Sequence, residues 1–353
     1  MIDRVSALRL AVSFIFLFAT ILAPHAMAGV ADKRLDVYWI DVEGGAATLI
    51  VTPAGESVLV DAGNPGGRDA GRIHKVASEV AHLARIDHLV VTHYHVDHFG
   101  GVAEVAALMP VLNVYEHGID SAPESERNDP RLEAYRKAPV GHRITVQPGM
   151  EISLRGAKGA DRTRVRFLGA RQSFLTSKGA KRNEGVCQDL TEKEADTSDN
   201  ANSVVLVLEH GGFRFFDAGD LTWNVEGRLV CPVDRVGTID VYQSTHHGLD
   251  RSNNPVIVRT LQPTVVVFNN GPRKGADPDT MAAVRSASSV KAVYQVHRNV
   301  REGAPNTVDS RIANREEACA GEFVKMSVAP DGESYVLTVP STGYTEAYKT
   351  RRR

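Results

Sequence analysis

Cysteine is scarce in this chain. Cys187, Cys231 and Cys319 are the only three in 353 residues, too few for a scaffold built on disulfides. A basic excess is also missing. The 41 Lys and Arg stand against 43 Asp and Glu, a formal net charge of -2, which argues against a general polyanion binder and leaves no dedicated nucleic-acid surface. The 30 Gly and 16 Pro are spread along the chain, which excludes collagen-like and low-complexity architectures. No apolar run is long enough to span a bilayer. The run AVSFIFLFATILA, residues 11–23, has 13 residues, short of the ~20 that a spanning helix needs. What is present is a chain long enough to bury a full core.

That run has an address-like context. Arg4 and Arg9 precede it, and Ala26-Met27-Ala28 follows it. A basic start, a short apolar segment and a small-residue site describe a secretory signal peptide over residues 1–28. The expected mature protein is residues 29–353, periplasmic or secreted, with no stable membrane insertion after cleavage. An uncleaved anchor is the rival reading, and the short run counts against it. An oxidising compartment permits a disulfide. Cys187 lies in a polar loop and Cys231 precedes Pro232, so that pair comes first, with three buried thiols as the alternative.

Patterning in the mature chain predicts short strands at 35–40, 47–52 and 57–60, then a helix over 68–83 with Ile73, Val76, Val80 and Leu83 at helical spacing. Residues 88–92 form a continuous apolar run of the kind found in strands buried on both faces. A helix at 102–108 and a strand at 111–115 follow. Residues 116–143 read as a polar surface excursion near the site. Strands are predicted at 152–154 and 165–168. Residues 178–199, with ten charged residues in 22, read as a flap rather than core. A hairpin follows at 203–208 and 213–216, turning at His210-Gly211-Gly212. Strands at 239–244, 264–268 and 290–296 alternate with helices at 255–261 and 280–287, and a last hairpin pairs 324–327 with 335–339.

An internal echo organises these elements. Val60-Asp61-Ala62-Gly63-Asn64 resembles Phe216-Asp217-Ala218-Gly219-Asp220, and Thr92-His93 resembles Thr245-His246. His93 comes 32 residues after Asp61 and His246 comes 29 after Asp217. Each half thus runs from strand end through helix to a second strand end. Two similar halves would bring both sets of strand ends to one edge of an α/β sandwich.

The chemistry gathers in Thr92-His93-Tyr94-His95-Val96-Asp97-His98, three His and one Asp within six residues after a buried strand. Imidazole nitrogens and carboxylate oxygens are ligands for Zn²⁺, Mn²⁺ or Fe. The i, i+2 spacing lets His93 and His95 reach one ion from extended backbone. Asp97 and His98, at the turn toward a helix, can serve a second.

The spacing HxHxDH, together with Asp61, Asp220 and the Thr245-His246-His247-Gly248 stretch, resembles the metallo-β-lactamase superfamily. The resemblance implies an αββα sandwich of two similar halves and two divalent ions, zinc ahead of manganese. It implies a ligand set of His93, His95, Asp97, His98, Asp220 and His246. Asp61 would hydrogen-bond a ligand imidazole rather than touch metal. His246 is preferred as ligand because it matches His93 in the echo, which leaves His247 to donate a proton or contact substrate. The further His that many members place on the strand before the bridging Asp is missing: His210 falls in a turn and is expected to be exposed. Asn202 or Asp199 would stand in its place. The stretches Asn200-Ala201-Asn202-Ser203, Gly219-Asp220 and His246-His247-Gly248 resemble the hydrolase domain of ComEC-type DNA-uptake proteins and the choline-phosphate esterases of that branch. The expected function is therefore that of an exported binuclear hydrolase acting through metal-bound hydroxide. Asp97, Asp220 and His247 would be catalytic, and Asn202, Arg273 and Lys274 would hold the anionic group of a small phosphodiester or phosphomonoester. Lactone or β-lactam opening is the alternative within enzymes, and a metal-binding scaffold without turnover is the alternative outside them. No feature specifies an oligomer.

Overall fold

The computed structural model describes residues 28–156, 162–175 and 181–352. Nearly all of the predicted leader, and residues 178–180 of the flap, lie outside the described residues. No described helix is long and apolar enough to cross a membrane.

The first half contributes β1 (Leu35–Ile40), β2 (Thr48–Val51), β3 (Ser57–Val60), β4 (Ile86–Val90), β5 (Val111–Glu116) and β6 (Val140–Thr145). The second contributes β7 (Thr163–Ala170), β8 (Ser173–Phe174), β9 (Val205–His210), β10 (Phe213–Asp217), β11 (Val241–Gln243), β12 (Val265–Phe268), β13 (Ala292–His297) and β14 (Ile312–Asn314). The chain then returns to the first half with β15 (Phe323–Val328), β16 (Ser334–Val339) and β17 (Tyr344–Lys349). They build a nine-stranded sheet in the order β17-β16-β15-β1-β2-β3-β4-β5-β6 and an eight-stranded sheet in the order β14-β13-β12-β11-β10-β9-β7-β8.

The halves repeat each other. An antiparallel pair, β2–β3 or β9–β10, leads into the parallel runs β3–β4–β5 and β10–β11–β12. Helices make the crossovers: α1 (Arg68–Lys75) and α2 (Val102–Leu108) in the first half, α3 (Trp223–Val230), α4 (Pro255–Leu261) and α5 (Pro278–Ser286) in the second. Strand alternation sorts the side chains. Leu35, Val37 and Trp39 of β1 enter the core between the sheets with Phe167, Leu206, Phe215 and Val267. Tyr38 and Ile40 point the other way, to Ile73 and Val105 under the first-half helices. Leu229, Ile257 and Met281 cover the other sheet. The result is a four-layer αββα sandwich whose two halves the echo predicts and whose layering the resemblance implies.

A polar hub crosses the middle of this core. The Trp39 indole and the Thr48 hydroxyl both donate to Gln243 Oε1 at 2.8 Å, and Gln243 Nε2 donates to Asp217 Oδ2 at 2.9 Å. Burial without such partners would be costly.

Three expectations change. The helix predicted to residue 83 widens into a π turn at Val76–Val80; the altered phase leaves Val80 at 37% exposure and buries Ala77 instead. Residues 152–154 form no strand, and only an isolated bridge joins Glu151 to Arg166. His210 is 2% exposed rather than at a free turn, because Thr163 Oγ1 and the Pro330 carbonyl lie 2.9 and 3.1 Å from its ring nitrogens. The cysteine pairing does occur: Cys187 and Cys231 form a disulfide, and Cys319 is free.

Candidate metal centre

Parallel strands that enter from one side release their loops at one edge. Asp61 follows β3, residues 92–98 follow β4, Asp220 follows β10 and His246-His247 follow β11. Thr92 locks the two halves there. Its carbonyl accepts from Val204 N at 2.9 Å, and Gly219, at φ 53°, packs so close that an added Cβ would sit 2.7 Å from Thr92 Cβ. No side chain fits between them. The Thr-His-His-Gly turn places both His246 and His247 at φ 55°. Left-handed backbone costs roughly 1–2 kcal/mol for such residues and clusters at functional sites.

Hydrogen bonds on the far side of each ring define what faces inward. Asp61 Oδ2 accepts from His98 Nδ1 at 2.7 Å. The Thr92 hydroxyl donates to the same Asp61 oxygen at 2.7 Å and so accepts from His93 Nδ1 at 3.1 Å. Ser252 donates to the Leu221 carbonyl and accepts from His246 Nδ1 at 3.2 Å. His247 Nδ1 donates to the Asn269 carbonyl at 3.3 Å. With every Nδ1 engaged on the far side, four Nε2 atoms point inward.

They converge on one carboxylate. Asp220 Oδ2 lies 3.2 Å from His98 Nε2, 3.3 Å from His246 and His247 Nε2, and 3.9 Å from His93 Nε2. His98 Nε2 and His247 Nε2 are 3.2 Å apart, and Asp97 Oδ2 stands 3.4 Å from His247 Nε2 and 3.6 Å from His98 Nε2. His93 Nε2 is buried with no hydrogen-bond partner. Lone pairs facing lone pairs and an anionic oxygen repel unless a cation lies among them, so this donor set fits a divalent metal.

The electrostatics agree. Burial, with His98 nearby, holds His93 far below the usual imidazole range, and burial takes His246 down to about 4. Both rings therefore stay neutral, as ligands must be. Asp97 and Asp220 are pushed low despite burial. His98, His247 and Lys274 do this at Asp97; His247, His98 and His246 do it at Asp220. His98 is held up against burial by Asp220, Asp61 and Asp97, so a proton takes the place that a stronger cation would claim.

The four residues whose ligand atoms gather within 4.8 Å are Asp97, His98, Asp220 and His247. His247 thus stands in this group, while His246, the ligand that the sequence reading preferred, reaches Asp220 Oδ2 at the same 3.3 Å. His246 meets the group through Asp220. His95 sits with its ring centroid 4.7 Å from that of His93, and its Nε2 is occupied by Glu126 at 3.1 Å, which leaves Nδ1 as its ligand atom.

Two residues that sequence reasoning missed support the site. Glu126 holds His95 and also accepts from Asp199 N at 2.7 Å. Asp199, fully buried, accepts from Tyr94 N at 2.7 Å and lies 2.9 Å from His117 Nε2. Both His117 and Glu126 come from the polar excursion, where isolated letters carry no spacing signal. Asn202 donates to Asp199 Oδ1 at 2.9 Å and thereby positions Asp199. Lys274 Nζ reaches Asp97 Oδ2 at 2.5 Å. Arg273 pairs with Glu317: its side chain, 66% exposed, donates to both carboxylate oxygens at 2.6 and 3.0 Å.

Known proteins resemble this chain as follows. Residues 40–156 match the family described as the metallo-beta-lactamase superfamily. A thioesterase of Emericella nidulans is 31% identical over 108 residues, 31% of this chain and 30% of its own length. A metal-dependent hydrolase of Polynucleobacter asymbioticus is 34% identical over 84 residues, 24% of this chain and 28% of its own length. The matched part thus spans less than a third of these curated relatives. Among solved structures, the metallo-beta-lactamase fold protein YhfI of Bacillus subtilis aligns with a TM-score of 0.44 at 12% identity, over 74% of this chain and 96% of that one. CmlA, a diiron beta-hydroxylase of Streptomyces venezuelae, aligns with a TM-score of 0.37 at 18% identity, over 74% of this chain and 52% of that one.

Proposed function

For a chain that carries the metallo-β-lactamase superfamily's segment at residues 40–156 and an αββα fold, we propose the activity of a metal-dependent hydrolase. The observation that carries this reading is the convergence of four imidazole Nε2 atoms on Asp220 beside Asp97. His93, His95, Asp97, His98, Asp220, His246 and His247 would hold up to two divalent ions, zinc foremost. Such ions supply a water nucleophile near neutral pH and polarise the bond under attack. The residues do the positioning. Asp61 and Thr92 orient His98 and His93, and Glu126 orients His95. Lys274, 37% exposed in its side chain, offers a cation at the mouth.

The substrate we propose is a small phosphoester. Lys274 favours an anionic group beside Asp97, and residues 200–203, 219–220 and 246–248 resemble the phosphoester-cleaving branch. A cavity of about 590 Å³ lies between residues 193–197 of the flap and Thr222, Trp223, Asp250 and Arg251, on the loops that follow Asp220 and His247 in the chain. Loops around a rigid centre usually set specificity. Export also belongs to this reading: the leader pattern at residues 1–28 and the Cys187–Cys231 disulfide both suit an oxidising compartment.

The test is metal analysis of the purified mature chain with a panel of phosphodiester, phosphomonoester, thioester, lactone and β-lactam substrates. The expected result is chelator-sensitive turnover that is fastest on a phosphoester. Lys274→Ala should lower kcat/KM on that ester by about 10- to 150-fold, the loss of one charge-assisted bond of ~1.5–3 kcal/mol. Arg273→Ala should leave it within about threefold, since exposed ion pairs contribute little. Full activity in chelator would sink the hydrolase reading. Faster turnover of a thioester, lactone or β-lactam would replace the substrate.

A further inference from the structure

A second group of ligand-type side chains lies outside the centre just described. Asp41, His297 and Cys319 bring one ligand atom each within 4.8 Å of one another. They come from three distant parts of the chain. Asp41 follows β1 of the nine-stranded sheet, His297 ends β13 of the other sheet, and Cys319 lies in the connection from β14 to β15.

The local bonds leave this group incomplete. His297 is fully buried. Its Nδ1 donates to the Arg298 carbonyl at 2.8 Å, so its Nε2 bears the lone pair, and that nitrogen has no partner. A buried lone pair without a donor is costly. The Cys319 thiol donates to Asp41 Oδ2 at 3.0 Å, while Asp41 Oδ1 is taken by Glu43 N at 2.9 Å. Arg72 is the one positive side chain within 4 Å of Asp41 among the described residues, 3.5 Å from Oδ2, and it is held more closely by Glu43 at 2.9 Å. Carboxylate, imidazole and thiol together form a donor set suited to zinc, which accepts three protein ligands with water in the fourth position.

We propose that Asp41, His297 and Cys319 bind a single zinc-class ion through a carboxylate oxygen, Nε2 and Sγ, at a site separate from the Asp220 centre. Binding replaces the thiol proton: the S–H bond breaks, an Sγ–metal bond forms and one proton leaves to solvent. A thiol must lose its proton to bind metal, so affinity rises with pH. The ion ties the end of β1 to the end of β13 and so clamps the two sheets. It also braces the loop after Asp41, whose Ala46 N donates to the Asp97 carbonyl at 3.1 Å.

Cys319 makes the test selective. With Cys187 and Cys231 in a disulfide, it is the only thiol able to bind metal. Full-length mature protein is stripped with chelator and titrated with Co²⁺. The expected result is a near-ultraviolet sulfur-to-cobalt charge-transfer band that persists in Asp220→Ala, where the other centre is damaged, and disappears in Cys319→Ser and His297→Ala. Zinc content should be lower by one ion per chain in Cys319→Ser than in wild type. Zinc should also slow alkylation of Cys319 by iodoacetamide by about tenfold or more, since the thiolate is the reactive form and the ion occupies it. This last measurement uses wild-type protein and stands even where a variant fails to fold. Absence of the band in cobalt-loaded wild type, or alkylation at the same rate with and without zinc, overturns the proposal and leaves the Asp220 centre untouched.

Discussion

At the scale of single residues, Asp61 does the most with the least surface. It is 1% exposed, at φ 61°, and accepts from Thr92 N at 2.8 Å, the Thr92 hydroxyl at 2.7 Å and His98 Nδ1 at 2.7 Å. Asp is among the few residue types that visit left-handed backbone at modest cost. The carboxyl defines the His98 tautomer directly and the His93 tautomer through Thr92. Asp61→Ala would strip three buried donors, each worth about 1–3 kcal/mol when left bare. It should weaken metal binding by about 10- to 100-fold, as other losses of a ligand's hydrogen-bond partner do. Competition against a chromophoric chelator measures this; unchanged affinity would show that the ring orientation does not depend on Asp61.

At the scale of elements, the turn that carries His246 and His247 rests on the junction of α3 and α4. Glu226 of α3 is fully buried and accepts from Asn254 N at 2.8 Å, at the start of α4. Burial pushes its carboxyl up to about 8 against that bond. An unfolded Glu ionises near about 4.3, so between those values the folded chain keeps a proton that the unfolded chain has lost. The sign follows from linkage: this contribution to stability is fully present below the unfolded pKa and is lost as pH rises to about 8. Glu226→Gln keeps the acceptor and removes the titration. It should match wild type in urea unfolding near pH 4 and exceed it at pH 9, by an amount on the order of 2–5 kcal/mol. A difference independent of pH would remove Glu226 as the cause.

At the scale of the whole molecule, the Cys187–Cys231 bridge acts on the unfolded chain. It closes a separation of 44 residues and ties the charged flap to the end of α3. Loop-closure entropy for such a span is about 4 kcal/mol, and measured bridges typically contribute about 2–4. Reductant, or Cys187→Ser with Cys231→Ser, should lower unfolding stability by that amount while leaving the Asp220 centre intact. Urea titration with and without reductant checks it; equal midpoints would mean the bridge adds nothing. The sheets themselves should unfold together, because the Trp39–Gln243–Asp217 hub and the core between the layers draw side chains from both.

What the sequence by itself determined was local and periodic. Alternation and apolar runs located β1, β3, the 205–217 hairpin and α4, because strand and helix repeats are written in consecutive residues. The close spacing of His93, His95, Asp97 and His98 exposed the metal chemistry for the same reason, and the echo of Asp-Ala-Gly predicted two halves. Tertiary structure decided the rest. The paired left-handed turn placed His247 with Asp97, His98 and Asp220, a backbone choice that two adjacent identical letters cannot encode. Glu126 and His117 entered the site because the excursion folds back over it. Asp41, His297 and Cys319 met because two sheets stack. These contacts join residues tens to hundreds of positions apart, and only the packing of the layers selects them from the other His, Asp and Glu of the chain.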